Sequence, residues 1–304
     1  MTTVALTDVR HAQIEVGAIT MHVAEAGEGE PVVLLHGFPE LWYSWRHQLR
    51  ALADAGYRAI APDQRGFGKT SAPEGVDHYD ALTIVGDLIG LLDTLGLDQA
   101  VVVGHDWGAL IAWYSALLYP DRVRAVGALS VPYGPRTPVP PMAFFREVIG
   151  DDFYMLWLQE PGVADAAFAA DIRRALAGAW VFDREGWRER PVPDVQWRSS
   201  RDEAVYMEAL TRTGFTPGLN WYRNFDRNWE LLAPYDGRTI DQPAFFIVGS
   251  EDPVTQFMPA DIMDGVVTDL RDVTVLDGVN HWIAQEKPIE VNAMLLRFLE
   301  GLRP

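Results

Sequence analysis

The segment Val101-Val102-Val103-Gly104-His105-Asp106-Trp107-Gly108-Ala109 constrains the fold more than any other part of this chain. The three valines read as a buried strand and Ala109 to Leu118 as a helix, with only a sharp turn between them. A connection that tight needs small residues where strand and helix approach, and Gly104 and Gly108 stand there. The helix then folds back over its strand, as in a parallel sheet covered by helices.

The same alternation recurs along the chain. Short apolar runs bounded by Gly and Pro lie at Val32 to Leu35, Tyr57 to Ala61, Ala100 to Val103, Val123 to Leu129, Ala244 to Val248 and Val273 to Leu276, and each suits a buried parallel strand. Trp42 to Ala55, Ala81 to Leu95 and Ala109 to Leu118 read as helices between them, and Ile289 to Leu302 as a closing helix. The expected fold class is α/β, a mostly parallel, doubly wound sheet. The alternation stops near Val131, where Pro132, Pro135, Pro138, Pro140 and Pro141 crowd together, and resumes around Gln242 and Pro243. The stretch between is rich in Trp, Phe and Tyr at helical spacing, as in Asp165 to Ala179 and Arg201 to Thr213. It reads as a helical cap, 132–240, inserted into a core domain made of 1–131 and 241–304.

Composition removes several function classes. A chain of 304 residues with 48% hydrophobic content can bury a large core together with a smaller insert. Its 43 acidic against 25 basic residues give a net charge of −18, which repels nucleic acid and anionic membranes. The absence of cysteine excludes disulfides, thiolate metal sites and thiol nucleophiles, and fits a reducing compartment. Met1 to Gly17 has no apolar stretch of signal-peptide type, and no run approaches the roughly 18 apolar residues a membrane helix requires. The expectation is a cytoplasmic protein without membrane contact, a monomer or homodimer. His11, His22, His47 and His78 show no metal-binding spacing, and Gly66 and Gly68 lack the context of a phosphate loop, so neither metal nor cofactor is expected.

The strand-turn-helix segment resembles the nucleophile elbow of the α/β-hydrolase fold, with Asp106 where serine is familiar. Serine needs a base to remove its proton, whereas a carboxylate of pKa about 3.9 is already ionised at neutral pH. Carboxylate attack on an sp3 carbon leaves an ester, and a base must then activate water against the ester carbonyl. His281, in Gly278-Val279-Asn280-His281-Trp282 after a strand, can be that base. Asp252, just past the Ala244 to Val248 strand, can orient the imidazole, with Glu251 and Asp277 as the alternatives. The order nucleophile, acid, histidine is that of the fold. The oxyanion of ester hydrolysis needs backbone donors, which the fold takes from the residue after the nucleophile, Trp107, and from Phe38 in His36-Gly37-Phe38-Pro39.

The set His36-Gly37-Phe38-Pro39-Glu40 with Trp42-Tyr43-Ser44-Trp45-Arg46, then Asp63-Gln64-Arg65-Gly66-Phe67-Gly68, then Gly104-His105-Asp106-Trp107-Gly108 resembles the successive motifs of the epoxide hydrolases of the α/β-hydrolase superfamily. The likeness spans nearly the whole chain. It implies two cap tyrosines that hold the epoxide oxygen and donate a proton as the ring opens. Tyr154, in Phe153-Tyr154-Met155-Leu156-Trp157, resembles the first and Tyr222, in Asn220-Trp221-Tyr222-Arg223-Asn224, the second, with Tyr133, Tyr206 and Trp157 able to confuse the first assignment. Phe38, Trp107, Trp157, His36 and Pro39 are the expected pocket residues, suited to an apolar or aryl-substituted epoxide, with water as co-substrate. His36 and His105 flank catalytic backbone and are read as structural, orienting loop and elbow by hydrogen bonds.

The nearest rival is a haloalkane dehalogenase, which shares the Asp nucleophile, the following Trp and the His base. Halide leaves without a proton and is held by N–H donors, so that enzyme needs no tyrosine pair, and Phe38 stands where it would carry Asn. A non-enzymatic binding protein on the same fold would show a broken constellation, which this is not.

Overall fold

The computed structural model describes residues 8–178, 186, 189 and 197–303. An eight-stranded sheet runs through it: β1 (Arg10–Val16), β2 (Ile19–Ala26), β3 (Glu30–Leu35), β4 (Tyr57–Pro62), β5 (Ala100–His105), β6 (Val123–Leu129), β7 (Ala244–Gly249) and β8 (Leu270–Leu276). Their order across the sheet is β1-β2-β4-β3-β5-β6-β7-β8. β2 pairs antiparallel with both β1 and β4, and every other neighbouring pair is parallel. Strands β3 to β8 fall on the apolar runs of the sequence, whereas β1 and β2 have no counterpart in that reading. β1 is an edge strand that exposes most of its residues, so no apolar run marks it.

Successive side chains of a strand point to opposite faces. Val32 and Leu34 accordingly enter one core with Leu49 and Leu52 of α1 (Arg46–Asp54) and Leu295 of α12 (Pro288–Glu300). Val33 and Leu35 enter the other, with Leu88 of α2 (Ala81–Thr94) and Ile111 of α3 (Trp107–Leu118). Each fully buried Val or Leu contributes about 1.5–3 kcal/mol by leaving water. The helix expected over Trp42 to Ala55 is a 3₁₀ turn at Trp42–Trp45 followed by α1.

β6 and β7 are neighbours in the sheet, Val126 opposite Ala244, yet the chain between them leaves the sheet. It forms α4 (Pro141–Val148), α5 (Tyr154–Trp157), α6 (Val163–Ala170), α7 (Ile172–Leu176), α8 (Ser200–Thr213), α9 (Thr216–Arg223) and α10 (Phe225–Leu231). The expected single helix from Asp165 to Ala179 is split, because Asp171 breaks α6 with φ −151° and its carboxylate caps Arg174 N to start α7. Ala179 lies outside the described residues, as do the first seven of the N-terminus. Among the described residues no helix is long and apolar enough to cross a membrane.

β4 lies on one side of β3 and β5 on the other. The winding direction therefore reverses between β3 and β5, and open sheets bind ligands beyond the strand ends at such a point.

Candidate active site

β5 ends at His105 and α3 begins at Trp107, so the turn between them is Asp106 alone. Its φ of 54° with ψ of −121° lies outside the conformations L-residues prefer, a strain of order 1–3 kcal/mol. Close packing holds it there. A Cβ on Gly104 would strike the Gly108 carbonyl, and one on Gly108 would strike the Leu35 carbonyl at the end of β3. Helix α3 thus starts directly beneath the carboxylate, and its N-terminal partial charge favours the anion.

The two carboxylate oxygens of Asp106 have different surroundings. Oδ1 accepts a hydrogen bond from Phe38 N at 2.8 Å, while Oδ2 lies 3.5 Å from His281 Nε2. Trp107, as the first residue of α3, has a backbone N–H without a partner inside the helix. Gly37 is required beside them, since a Cβ there would overlap the Asp106 side chain.

His281 stands in the loop between β8 and α11 (Ile283–Glu286), and its Nδ1 donates to Asp252, 3.0 and 3.1 Å from the two carboxylate oxygens. The Asp252 side chain is fully buried and also accepts from Val254 N at 2.9 Å. Glu251 and Asp277 are exposed, so Asp252 is the carboxylate that reaches the imidazole. Burial alone would raise the Asp252 pKa, but the facing His281 and the hydrogen bonds hold it below the usual carboxylate range. Burial would likewise favour a neutral His281, yet Asp252 and Asp106 together outweigh it and lift that pKa well above the ordinary histidine value. The two carboxylates on either side of the ring thus favour the charged form of His281 in the resting site.

Tyr154 opens α5 and Tyr222 lies in α9, and both are buried close enough to Asp106 for its charge to act on them. Burial first, and the Asp106 carboxylate second, push both phenols well above the usual tyrosine range. The Tyr222 ring stands edge-on to Phe38 at 5.4 Å and to Trp107 at 5.1 Å. Tyr206 is bonded elsewhere, to Ser44 and Gln285, and Tyr133 packs on Trp113. Pro39 is buried next to Phe38 across a cis peptide. Trp157 is one ring removed from the site, packing edge-on against Phe168, which tilts against Phe38 at 6.3 Å. Phe168 and Phe215, the latter 6.2 Å from Phe38, are cap aromatics that the sequence reading did not single out.

His36 does not face the site as a pocket residue. It has no accessible surface; its Nδ1 donates to the Gly37 carbonyl at 2.9 Å and its Nε2 accepts from Gln64 N at 3.0 Å. It shapes the loop from within the protein.

A second charged pair lies under the site. His105 Nδ1 is 2.8 Å from Glu40 Oε2, and His105 Nε2 is 2.8 Å from the His281 carbonyl oxygen. Burial opposes a charged Glu40, but His105 outweighs it and holds the carboxyl at about 2, so at neutral pH it can only accept hydrogen bonds. The carbonyl too can only accept. Both ring nitrogens of His105 therefore face acceptors. Glu40 also accepts from Gly37 N at 3.2 Å and from Gln285 Nε2 at 2.9 Å, and Ser130 Oγ adds a second donor to the His281 carbonyl at 3.0 Å. The pair thus ties the Phe38 loop, the Asp106 turn and the His281 loop together. Glu40→Gln removes the buried carboxylate that accepts from His105, Gly37 N and Gln285 Nε2 and should cost about 1–3 kcal/mol, read as a lower urea midpoint; unchanged stability would mean that the carboxylate does not hold these loops together. The folded pKa lies below the ordinary 4.5, so this stabilisation is complete above that value and is lost as the pH falls toward about 2.

Comparison with known proteins adds a second line of argument. The family described as the alpha/beta hydrolase fold matches residues 30–288. The protein named epoxide hydrolase A of Mycobacterium tuberculosis is 48% identical, over 95% of this chain and 97% of that one. Epoxide hydrolase 1 of Siraitia grosvenorii is 45% identical, over 96% and 98%. Among solved structures, epoxide hydrolase A from Mycobacterium thermoresistibile superposes with a TM-score of 0.92 at 46% identity, covering 97% of this chain and 99% of the other. An epoxide hydrolase from Vigna radiata gives 0.92 at 38% identity, covering 98% and 99%.

Proposed function

The chain belongs to the epoxide hydrolases of the α/β-hydrolase fold, and we propose that it adds water to an epoxide to give a vicinal diol through an ester on Asp106. The observation that carries this reading is the unequal pair of oxygens on that carboxylate. Oδ2, free of backbone donors, attacks a ring carbon and becomes the ester oxygen. Oδ1, already bonded to Phe38 N, becomes the ester carbonyl and then the oxyanion, so its donor is in place before the charge forms.

The protons balance around the cycle. As Asp106 attacks, the C–O bond of the epoxide breaks and Tyr222, with Tyr154 beside it, gives a proton to the alkoxide, leaving a phenolate. Forming the ester removes the Asp106 charge, one of the influences that kept His281 protonated. The imidazolium releases its proton, which restores the tyrosine. The neutral imidazole then takes a proton from water, whose oxygen attacks the ester carbonyl carbon; the oxyanion collapses and expels the diol oxygen as an alkoxide, which takes the proton of the newly added hydroxyl, so that the diol leaves, Asp106 returns as carboxylate and His281 as imidazolium.

Helices α4 to α10, interposed between the paired strands β6 and β7, support the division into a core of 1–131 and 241–304 and a cap of 132–240 that carries both tyrosines. The rings of Phe38, Trp107, Phe168 and Phe215 favour an apolar or aryl-substituted epoxide. A cysteine-free sequence supports a reducing compartment such as the cytoplasm. The test is to supply purified protein with styrene oxide and, separately, a 1-haloalkane, and to assay diol and halide. Diol without halide is expected. Halide without diol would replace this reading with dehalogenation.

A further inference from the structure

The two cap tyrosines stand on separate helices, α5 and α9, and Gln159 joins them. Its side-chain amide donates to the Met155 carbonyl, beside Tyr154, at 2.9 Å and to the carbonyl of Tyr222 itself at 3.1 Å. Carbonyl oxygens only accept, so the NH2 end of the amide faces both, one hydrogen to each. The Gln159 backbone N–H turns to the Leu156 carbonyl at 3.4 Å, which leaves Met155 to the side chain. Tyr222 lies in the last turn of α9, where carbonyls run out of helical donors. Helix α5 is a single turn of four residues, too short to hold itself, so its place depends on such contacts. Helix α9 is also held at both ends by Asp165 of α6, which accepts from Thr216 at 2.6 Å and pairs with Arg223.

We propose that Gln159 is a positioning residue for ring opening: by clipping α5 to α9 it sets the separation of the two phenols that must reach one epoxide oxygen. The inference rests on the reading of Tyr154 and Tyr222 as the acids of this reaction. An epoxide oxygen offers two lone pairs, and two donors act on it together only if both reach it in one geometry. Gln159 and Tyr222 are 63 residues apart, so the chain itself does not set that geometry. A misplacement of about 1 Å at such a group costs up to about a hundredfold in rate. The clip bonds to backbone carbonyls, so it fixes where each ring starts without engaging the hydroxyl. Hydrolysis of the ester draws on other groups, His281, Asp252 and the Phe38 N–H, all outside the cap. The clip therefore bears on one half-reaction and not on the other.

Gln159→Met keeps the length of the side chain and removes both donors, while the Asp165 contacts of α9 remain. Single turnovers of styrene oxide are followed by rapid chemical quench in wild type, Gln159→Met, Tyr222→Phe and the double variant. Epoxide loss reports ring opening, and decay of the alkylated protein, by intact mass, reports ester hydrolysis. Gln159→Met should slow ring opening by about tenfold and leave ester hydrolysis within about twofold of wild type. In the Tyr222→Phe background no pair remains to be aligned, and the same change should cost less than about twofold. Unslowed ring opening, equal slowing of both half-reactions, or full slowing in the Tyr222→Phe background overturns the inference while leaving the tyrosines as acids. Unchanged ring opening in Tyr222→Phe alone overturns the acid reading of Tyr222 and this inference with it. Should Gln159→Met fail to fold, Gln159→Asn takes its place, since it keeps the amide but is one methylene short of spanning both carbonyls. The same four-way comparison is then made, and the same outcomes decide it.

Discussion

Asp106→Asn is expected to lower kcat/KM for diol formation from styrene oxide by at least about four orders of magnitude, with the fold retained. Asparagine is nearly the same size, tolerates the positive φ at this turn, and still offers an oxygen to Phe38 N. What it lacks is the anionic oxygen that faces His281 across 3.5 Å, and a neutral amide does not displace an alkoxide. The same substitution removes one of the charges that raise the His281 pKa, so the imidazole should titrate at lower pH than in wild type, as read by NMR. Intact mass confirms that the amide has survived. Wild-type turnover in that variant would exclude an ester on Asp106, and an unmoved His281 would exclude the charge coupling on which its release as a base depends.

His281→Gln is expected to separate the two half-reactions. Asp106 remains ionised and the tyrosines remain in place, so the ring still opens. Water then lacks its base, and ester hydrolysis slows by about 10²- to 10⁴-fold. The variant should consume about one equivalent of epoxide per protein, stall, and gain the mass of the epoxide on the peptide that contains Asp106. Steady turnover at the wild-type rate, with no adduct, would show that another group activates the water. In wild type, where the ester lacks the Asp106 charge, hydrolysis should fail as the pH drops through the His281 pKa of that intermediate, because the protonated ring has no lone pair to offer.

Much of this site is legible in the sequence because its parts are local. Gly104, Asp106 and Gly108 lie within one turn, and the backbone strain at Asp106 follows from the same spacing that marks the segment in the sequence. Strands β3 to β7 announce themselves as apolar runs because both faces of the sheet are covered there, whereas β8, at the far edge, leaves Val273 and Val275 exposed. The hairpin of β1 and β2 was less visible, although Val16 and Ile19 flank a two-residue turn at Gly17, because β1 lies at the sheet edge with most of its side chains in water. The charged pair beneath the site could not be read locally at all. Glu40 and His105 are 65 residues apart, and Gln285 is 245 residues from Glu40, so each looks like an ordinary polar residue until the fold joins them. His11 and His22 likewise read as scattered, yet they meet at 3.1 Å across the β1–β2 pair. His36 shows the converse: its place in a catalytic loop suggests a pocket residue, but both ring nitrogens are spent on backbone.

The most direct test of the Asp106 ester is the fate of oxygen in a single turnover. With protein in excess over styrene oxide in water enriched in 18O, attack on the ester carbonyl places the solvent oxygen in the Asp106 carboxylate. The diol of that first turnover should carry no 18O, and the Asp106 peptide should gain it. Label in the first-turnover diol and none in the peptide would mean that water attacks the epoxide directly, with Asp106 at most its base, and would contradict the covalent account.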